Sequence, residues 1–102
     1  MANYEYNTDY ETVAASQTDQ ILGPAGAVGN VIDKIIVSVA TAATSTCSIK
    51  DGNGSAIVIT AANTPIGVYT VLLGARCVNA TTPGWKVTTG AGCTAGAVGR
   101  FT

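Results

Sequence analysis

Hydrophobic residues occur along this chain in short runs that are separated by glycine, proline and asparagine. The longest run, VIDKIIVSVA from Val31 to Ala40, is rich in β-branched residues and carries apolar side chains at both odd and even positions. That pattern is typical of a strand that is buried on both faces. We therefore predict a central strand with two apolar faces, one formed by Val31, Ile35, Val37 and Val39 and the other by Ile32 and Ile36.

Shorter runs of strand type follow, and glycine, proline or asparagine turns separate them. They cover residues 46–50, 56–60, 68–73, 75–78, 85–89 and 95–101. No window of eleven or more residues has the hydrophobic spacing of an amphipathic helix. About seven or eight short strands with turns between them predict an all-β fold, an antiparallel β-sandwich or jelly-roll-like single domain.

The stretch SIKDGNGSAIVI could hold either a calcium ion or a tight turn. Asp51, Asn53 and Ser55 have the spacing of the first three ligands of an EF-hand loop. That loop also needs a glycine and a glutamate where this chain has Ala56 and Ala62, and it needs flanking helices. Asp-Gly and Asn-Gly between two strand patterns favour a β-hairpin instead, so we predict a turn and no metal site.

The first 19 residues differ in composition from the rest of the chain. They contain no lysine or arginine, so with four acids they carry a charge of −4, and a net charge of −1 leaves +3 for the remainder. Aromatic residues in an extended, non-periodic segment are typical of an arm that docks on another surface; a solubilising tail is the alternative. We predict an extended N-terminal arm at residues 1–19 and a β-sandwich at residues 20–102. The arm holds the acids Glu5, Asp9, Glu11 and Asp19 and the tyrosines Tyr4, Tyr6 and Tyr10.

The composition argues against nucleic acid and membrane partners. Only 11% of the residues are charged and the net charge is −1, which provides no basic field for phosphates or anionic lipids. The N-terminus has no signal-peptide pattern and no run is long enough to cross a membrane, so we expect a protein that is made and kept in the cytoplasm. With 47% hydrophobic residues, we expect neighbouring proteins to cover its surface.

The inventory of reactive side chains predicts neither an enzyme nor a cofactor. Histidine, the commonest general base, is absent from the sequence. Asp33 and Asp51 are the acids outside the arm, and nothing in the pattern brings them together as a catalytic pair. The three cysteines, Cys47, Cys77 and Cys93, form no C-x-x-C pair, so we interpret them as small buried hydrophobic residues.

Two further residues have more than one interpretation. Trp85 is either a buried core residue or a platform on which a sugar ring stacks. Arg100, next to Phe101 in the last predicted strand, is either a solvated charge or the partner of an acidic residue in an arm, its own or a neighbour's.

Four segments together resemble a group of small virion proteins of tailed bacteriophages: TDQILGPAGAVGNVIDKIIV, SIKDGNGSAIVI, GVYTVLLGARC and PGWKVTTGAGCTAGAVGRF. The resemblance covers residues 18–102, and its motifs consist of turn and strand residues. It implies a capsid decoration (cement) protein or a small fibre module, commonly trimeric, with a β-sandwich or jelly-roll body. It carries over no active-site residue.

The leading hypothesis is a homotrimer that binds the major capsid protein on the outer surface of the virion, after assembly in the host cytoplasm. Its contacts with a neighbouring subunit or with the capsid would come from the arm and the last strand, at Tyr4, Tyr6, Asp9, Tyr10, Glu11 and Arg100. The alternative is a receptor- or glycan-binding module of a head or tail fibre, with Trp85 and the loops at residues 61–67 and 79–84 as the ligand face.

Overall fold

The computed structural model describes residues 8–24, 27–80 and 83–102. Within these residues the chain forms eight β-strands and one short 3-10 helix, Ala42–Thr44. No helix of the described residues has the length and apolar character needed to cross a membrane. The strands are β1 (Asp9–Val13), β2 (Gln20–Ile21), β3 (Val31–Val39), β4 (Cys47–Asp51), β5 (Ile57–Thr60), β6 (Gly67–Arg76), β7 (Trp85–Thr89) and β8 (Cys93–Arg100).

The strands form two antiparallel sheets of four strands each, which confirms the predicted all-β sandwich. The first sheet has the order β1-β8-β3-β6 and the second has the order β2-β7-β4-β5. Within them the first strand pairs with the last, the second with the seventh, the third with the sixth, and the fourth with the fifth. This nested order is jelly-roll-like.

One turn lies at the centre of this nested pairing. The partners in the pairs Asp9 with Gly99, Val31 with Arg76 and Ile49 with Ile57 are equally far in sequence from the Asn53-Gly54 peptide, to within one residue. The chain is therefore one long hairpin that has been rolled into two layers. The DGNG sequence is the tip of that hairpin, and Gly52 adopts the positive φ of 59° that the turn requires.

The core lies between the two sheets and contains aliphatic residues, the three cysteines and two aromatic rings. In β3, Ile32 is buried on the same side as Ile35, whereas the sequence pattern placed these two residues on opposite faces. The reason is a register shift between Ile32 and Lys34, where β3 has one more residue than β8. Such a bulge reverses the alternation of side chains along the strand. The prediction that Ile32 and Ile35 lie on opposite faces of β3 was therefore wrong.

The structure also differs from the prediction at the N-terminus. Residues 9–13, placed in the arm by composition, form β1, and all five pair with β8 at the edge of the first sheet. Val13 is buried in the core. Residues 9–13 of the predicted arm therefore belong to the sandwich, because they pair along their whole length with β8 and bury Val13. Residues 1–7 lie outside the described residues.

Candidate interaction surface

The outer face of the first sheet is largely uncharged and apolar. Strand register places Tyr10 beside Val98, Val98 beside Lys34, and Lys34 beside Leu72, which gives a row across all four strands. A second row runs in the same way from Thr12 through Gly96 and Ile36 to Thr70. Tyr10 is 63% exposed, Val68 68% and Leu72 79%. We refer to this surface as the apolar face, and its members are Tyr10, Thr12, Lys34, Ile36, Ser38, Val68, Thr70, Leu72, Thr94, Gly96 and Val98.

A shallow groove crosses the apolar face beside Tyr10. The tyrosine ring lies close to Gly96, where an added Cβ would come within 2.7 Å of the ring carbon Cζ. Any larger residue at position 96 would therefore displace the ring. The groove has a volume of about 260 Å³, and its walls also include Ile36 and Thr94. A neighbouring groove of about 210 Å³ shares Ser38 and Thr94 with it.

The outer face of the second sheet carries more charge at its centre, with exposed Ile21 and Val58 on its two edge strands. Lys50 and Lys86 lie directly opposite each other on β4 and β7. The carboxylate of Asp19 lies 3.2 Å from the Lys50 ammonium and accepts a hydrogen bond from the Thr88 hydroxyl. The hydrogen bond with Lys50 is the main reason that the pKa of Asp19 is lowered. The centre of this face thus carries two lysines and an ion pair, whereas Lys34 is the one charged member of the apolar face.

Two of the acids predicted to contact a neighbour make contacts within the chain. An oxygen of the Asp9 carboxylate accepts the main-chain N–H of Phe101 at 3.0 Å. Glu11 accepts the main-chain N–H of Gly23 at 2.7 Å and the side-chain amide of Gln20 at 3.2 Å. Both acids hold β1 to the rest of the sandwich, and sequence alone gave no sign of these distant partners.

Of the predicted contact tyrosines, Tyr10 is exposed on the apolar face, and Tyr4 and Tyr6 lie outside the described residues. Arg100 is exposed at the end of β8. The described part of the chain offers it no ion pair, since the nearby Asp9 carboxylate bonds to the main chain instead. The pairing of Arg100 with an acidic residue of an arm, its own or a neighbour's, therefore stays a prediction.

The ligand-face interpretation of Trp85 is also wrong. The side chain is only 6% exposed, and its indole nitrogen donates a hydrogen bond to the main-chain oxygen of Asn30 at 3.0 Å. A ring held in this way between the sheets has no free face on which a sugar could stack. The alternative interpretation, a core tryptophan, is confirmed.

The hairpin turn uses its acid for structure. The two carboxylate oxygens of Asp51 accept the main-chain N–H groups of Val78 and Asn79 at 2.9 and 3.3 Å. Among the described residues, no group of three or more histidine, cysteine, aspartate or glutamate side chains is arranged to hold a metal ion. The DGNG turn is therefore fastened to the segment that follows β6.

The cysteines are free thiols buried in the core, as predicted. Burial, reinforced by Cys93, raises the pKa of Cys47 to about 12. A thiol with so high a pKa is almost entirely protonated at neutral pH and is a poor nucleophile and metal ligand.

The apolar face was not predicted from the sequence. Its signal was present in GVYTVLLGAR, where Val68 and Leu72 alternate with the inward-facing Tyr69, Val71 and Leu73. A strand with apolar residues on both sides predicts a covering layer on each. The described chain supplies a covering layer on one side of β6 only, so Val68 and Leu72 are left exposed.

No protein-family model matches this chain, and no curated protein matches it. Among solved structures, a similar one is the coat protein dimer of Tobacco streak virus, with a TM-score of 0.43 and 10% sequence identity. The match covers 95% of this chain and 87% of that chain. A TM-score this low does not establish a common fold, and it carries no argument about function.

Proposed function

We propose that the protein is a non-enzymatic structural component of a bacteriophage virion, which decorates and stabilises the capsid by docking its apolar face on the major capsid protein. The observation that carries the proposal is the contrast between the two outer faces of the sandwich. One presents exposed Tyr10, Val68 and Leu72 around a single charge, Lys34. The other presents Lys50 and Lys86 at its centre and the exposed side chains of Ile21 and Val58 at its edges. A contiguous apolar surface on a small domain is typical of a protein interaction site.

The energetics suit a role without chemistry. Burying a large apolar side chain contributes roughly 1.5 to 3 kcal/mol, so Tyr10, Val68 and Leu72 together supply an anchor of several kcal/mol before costs of association. Contacts that exist only in the assembled shell stabilise that shell by mass action. Many copies of a weak contact would thus reinforce a capsid against internal pressure.

The proposal includes a homotrimer at threefold positions of the outer surface, in which residues 1–7 add contacts through Tyr4 and Tyr6. These details rest on the resemblance to tailed-phage virion proteins and on the aromatic content of the N-terminal segment. Jelly-roll-like folds occur in viral capsid domains and in lectins alike, so the fold supports the proposal only by analogy. The fibre alternative lost its proposed stacking platform when Trp85 was found in the core.

The test mixes purified protein with undecorated phage heads, sediments the heads and counts the copies that remain bound. We expect saturable binding that reaches a limit set by the threefold positions of the shell. Tyr10→Lys, at the exposed edge of the apolar face, should weaken binding by roughly tenfold or more, since it replaces one apolar anchor by a charge.

Val58→Lys is the matched control, because Val58 is 59% exposed on the opposite sheet. It should bind heads as the wild type does. Equal weakening by both changes would mean that the apolar face has no special part in docking. No binding of the wild type to heads would overturn the decoration role and favour a fibre module, for which a glycan screen is the next experiment.

A further inference from the structure

The β6 strand is an unprotected edge of the first sheet. It has ten residues, pairs with β3 on one side, and has no described strand on the other. From Gly67 to Ala75 it contains no charged residue and no proline. Exposed edges of this kind present unpaired main-chain N–H and C=O groups and act as templates for another strand.

The other described edges are shorter or better protected. The β1 edge has five residues and includes two acids, Asp9 and Glu11. The β2 edge has two residues and the β5 edge has four. Short strands and edge charges are the devices by which proteins avoid pairing between edges. Among the described strands, β6 is the long edge, and its one charge, Arg76, and its bulge between Leu72 and Ala75 lie at its end. The segment from Gly67 to Leu72 therefore lacks these protective devices.

We propose that β6 pairs antiparallel with β6 of a second copy of this chain, about a two-fold axis at Thr70. In this register Val68 lies opposite Leu72 of the partner subunit, and Leu72 lies opposite Val68 of the partner subunit. These are the two most exposed apolar side chains of the strand, at 68% and 79%, and aliphatic pairs across strands stabilise a sheet. Each copy therefore adds aliphatic contacts beside the exposed pair of the other.

The register also fixes how the two sandwiches face. Directly opposite residues in an antiparallel pair point to the same side of the sheet. Pairing Val68 with Leu72 of the partner subunit therefore puts the two outer faces side by side, and the two sheets of four strands become one of eight. A register displaced by one residue would set the outer face of one copy against the inward row of the other. The chosen register joins two apolar faces into a continuous surface.

The charge distribution permits this contact. Residues 67–73 carry no charge, so no like charges meet across the axis. Arg76 and the acids of β1 lie outside the paired segment, and the latter are at the far edge of the sheet. In an isologous contact the same patch of surface meets itself, so a charge near the axis would face a like charge. An uncharged segment avoids this repulsion.

The size of the contact predicts its strength. Seven paired residues span about 23 Å, and a contact limited to one strand pair is smaller than the standard interface of about 1,600 Å². Away from the capsid, a reversible dimer that dissociates on dilution is the expected result, because the proposed homotrimer would assemble only at the threefold positions of the shell. The contact does not depend on the capsid role. It uses the β6 edge, whereas Tyr10 lies three strands away at the opposite edge.

The first test is sedimentation velocity over a wide range of protein concentration. The wild type should convert reversibly from monomer to dimer. Thr70→Lys should raise the concentration at the midpoint by about tenfold or more, because it places like charges directly opposite each other at the axis. Tyr10→Lys, on the far edge, should dimerise as the wild type does. Thr70 is exposed, so the variant should keep its fold, which circular dichroism checks.

The second test fixes the register by oxidation. Thr70→Cys should form an intermolecular disulfide readily, since directly opposite Cβ atoms lie about 4.5 to 5.5 Å apart and small shifts bring them to disulfide geometry. Val68→Cys should not, because the two copies of residue 68 would be separated by four residues, or about 13 Å, along the strands. The native cysteines are buried and should not interfere.

A monomer at every concentration, or cross-linking of Thr70→Cys that is no faster than that of Val68→Cys, overturns the proposal. Failure of head binding with an intact β6 dimer would reject the capsid role and leave this contact standing. Head binding by a protein that never dimerises through β6 would support the capsid role and reject the β6 contact.

Discussion

The indole nitrogen of Trp85 donates a hydrogen bond to the main-chain oxygen of Asn30, and the two residues are 55 positions apart in the chain. The same oxygen accepts the main-chain N–H of Cys77 at 2.9 Å. The side-chain oxygen of Asn30 accepts the N–H of Thr102 at 3.2 Å. Asn30 thus joins the start of β3, the start of β7, the end of β6 and the C-terminus at one end of the sandwich.

Trp85→Phe should lower the free energy of unfolding by about 1 to 3 kcal/mol, because it removes this hydrogen bond and part of the buried ring. Urea denaturation followed by circular dichroism measures the change. In the native wild type, tryptophan emission should be blue-shifted and resist acrylamide quenching. A red-shifted, readily quenched emission would contradict the burial of Trp85.

Removing β1 should be far more harmful than removing the residues before it. Deletion of residues 2–13 takes away the pairing with β8, the buried Val13 and the bonds made by Asp9 and Glu11. We expect a loss of about 3 kcal/mol or more. Deletion of residues 2–7 keeps all of these contacts and is the matched control. Thermal melts of the two proteins make the comparison, and equal melting temperatures would show that β1 adds nothing to the fold.

Asp51 should act as a structural residue and not as a metal ligand. A chelator should leave the melting temperature unchanged, since both carboxylate oxygens already accept main-chain hydrogen bonds. Asp51→Ala should lower the free energy of unfolding by about 1 to 3 kcal/mol because two N–H groups lose a charged acceptor. A large drop in melting temperature with chelator would restore the calcium interpretation.

The three cysteines should resist alkylation in the native protein. Cys47 has a pKa of about 12, and the thiols of Cys77 and Cys93 point at main-chain oxygens of Ala27 and Thr46. Mass spectrometry after treatment with iodoacetamide should show no adduct in buffer and three adducts in denaturant. Rapid labelling of any one thiol under native conditions would identify a core that opens easily.

Asp19 should make a small contribution to stability that depends on pH. Its pKa is lowered in the folded protein, chiefly by Lys50, so the contribution is complete above the pKa of aspartate in the unfolded chain. It is lost as the pH falls through the lower pKa of the folded state. Asp19→Asn should flatten the acid side of the plot of unfolding free energy against pH.

The matched control for Asp19→Asn is Asp33→Asn, since Asp33 is exposed on β3 and has no ion pair among the described residues. Above the pKa of aspartate in the unfolded chain, Asp19→Asn should be less stable than Asp33→Asn, and the two stability curves should converge as the pH falls through the acid limb. Identical curves for both would mean that the ion pair with Lys50 contributes nothing.

Local pattern was sufficient for much of the fold. The β-branched run at Val31–Val39 identified the central strand, and Asp-Gly with Asn-Gly identified the hairpin, because backbone propensity and turn geometry depend on neighbouring residues. The interpretation of the cysteines as buried hydrophobic residues also followed from their type and spacing.

The sequence by itself therefore determined that this chain is built of short antiparallel strands around a DGNG turn. Tertiary structure decided where each face points. Pairing with β8 drew Asp9–Val13 into the sandwich, and the bulge after Ile32 set which side of β3 is buried. It also left Val68 and Leu72 uncovered on β6. These outcomes depend on register between segments far apart in the chain, which a periodic pattern within one segment cannot specify.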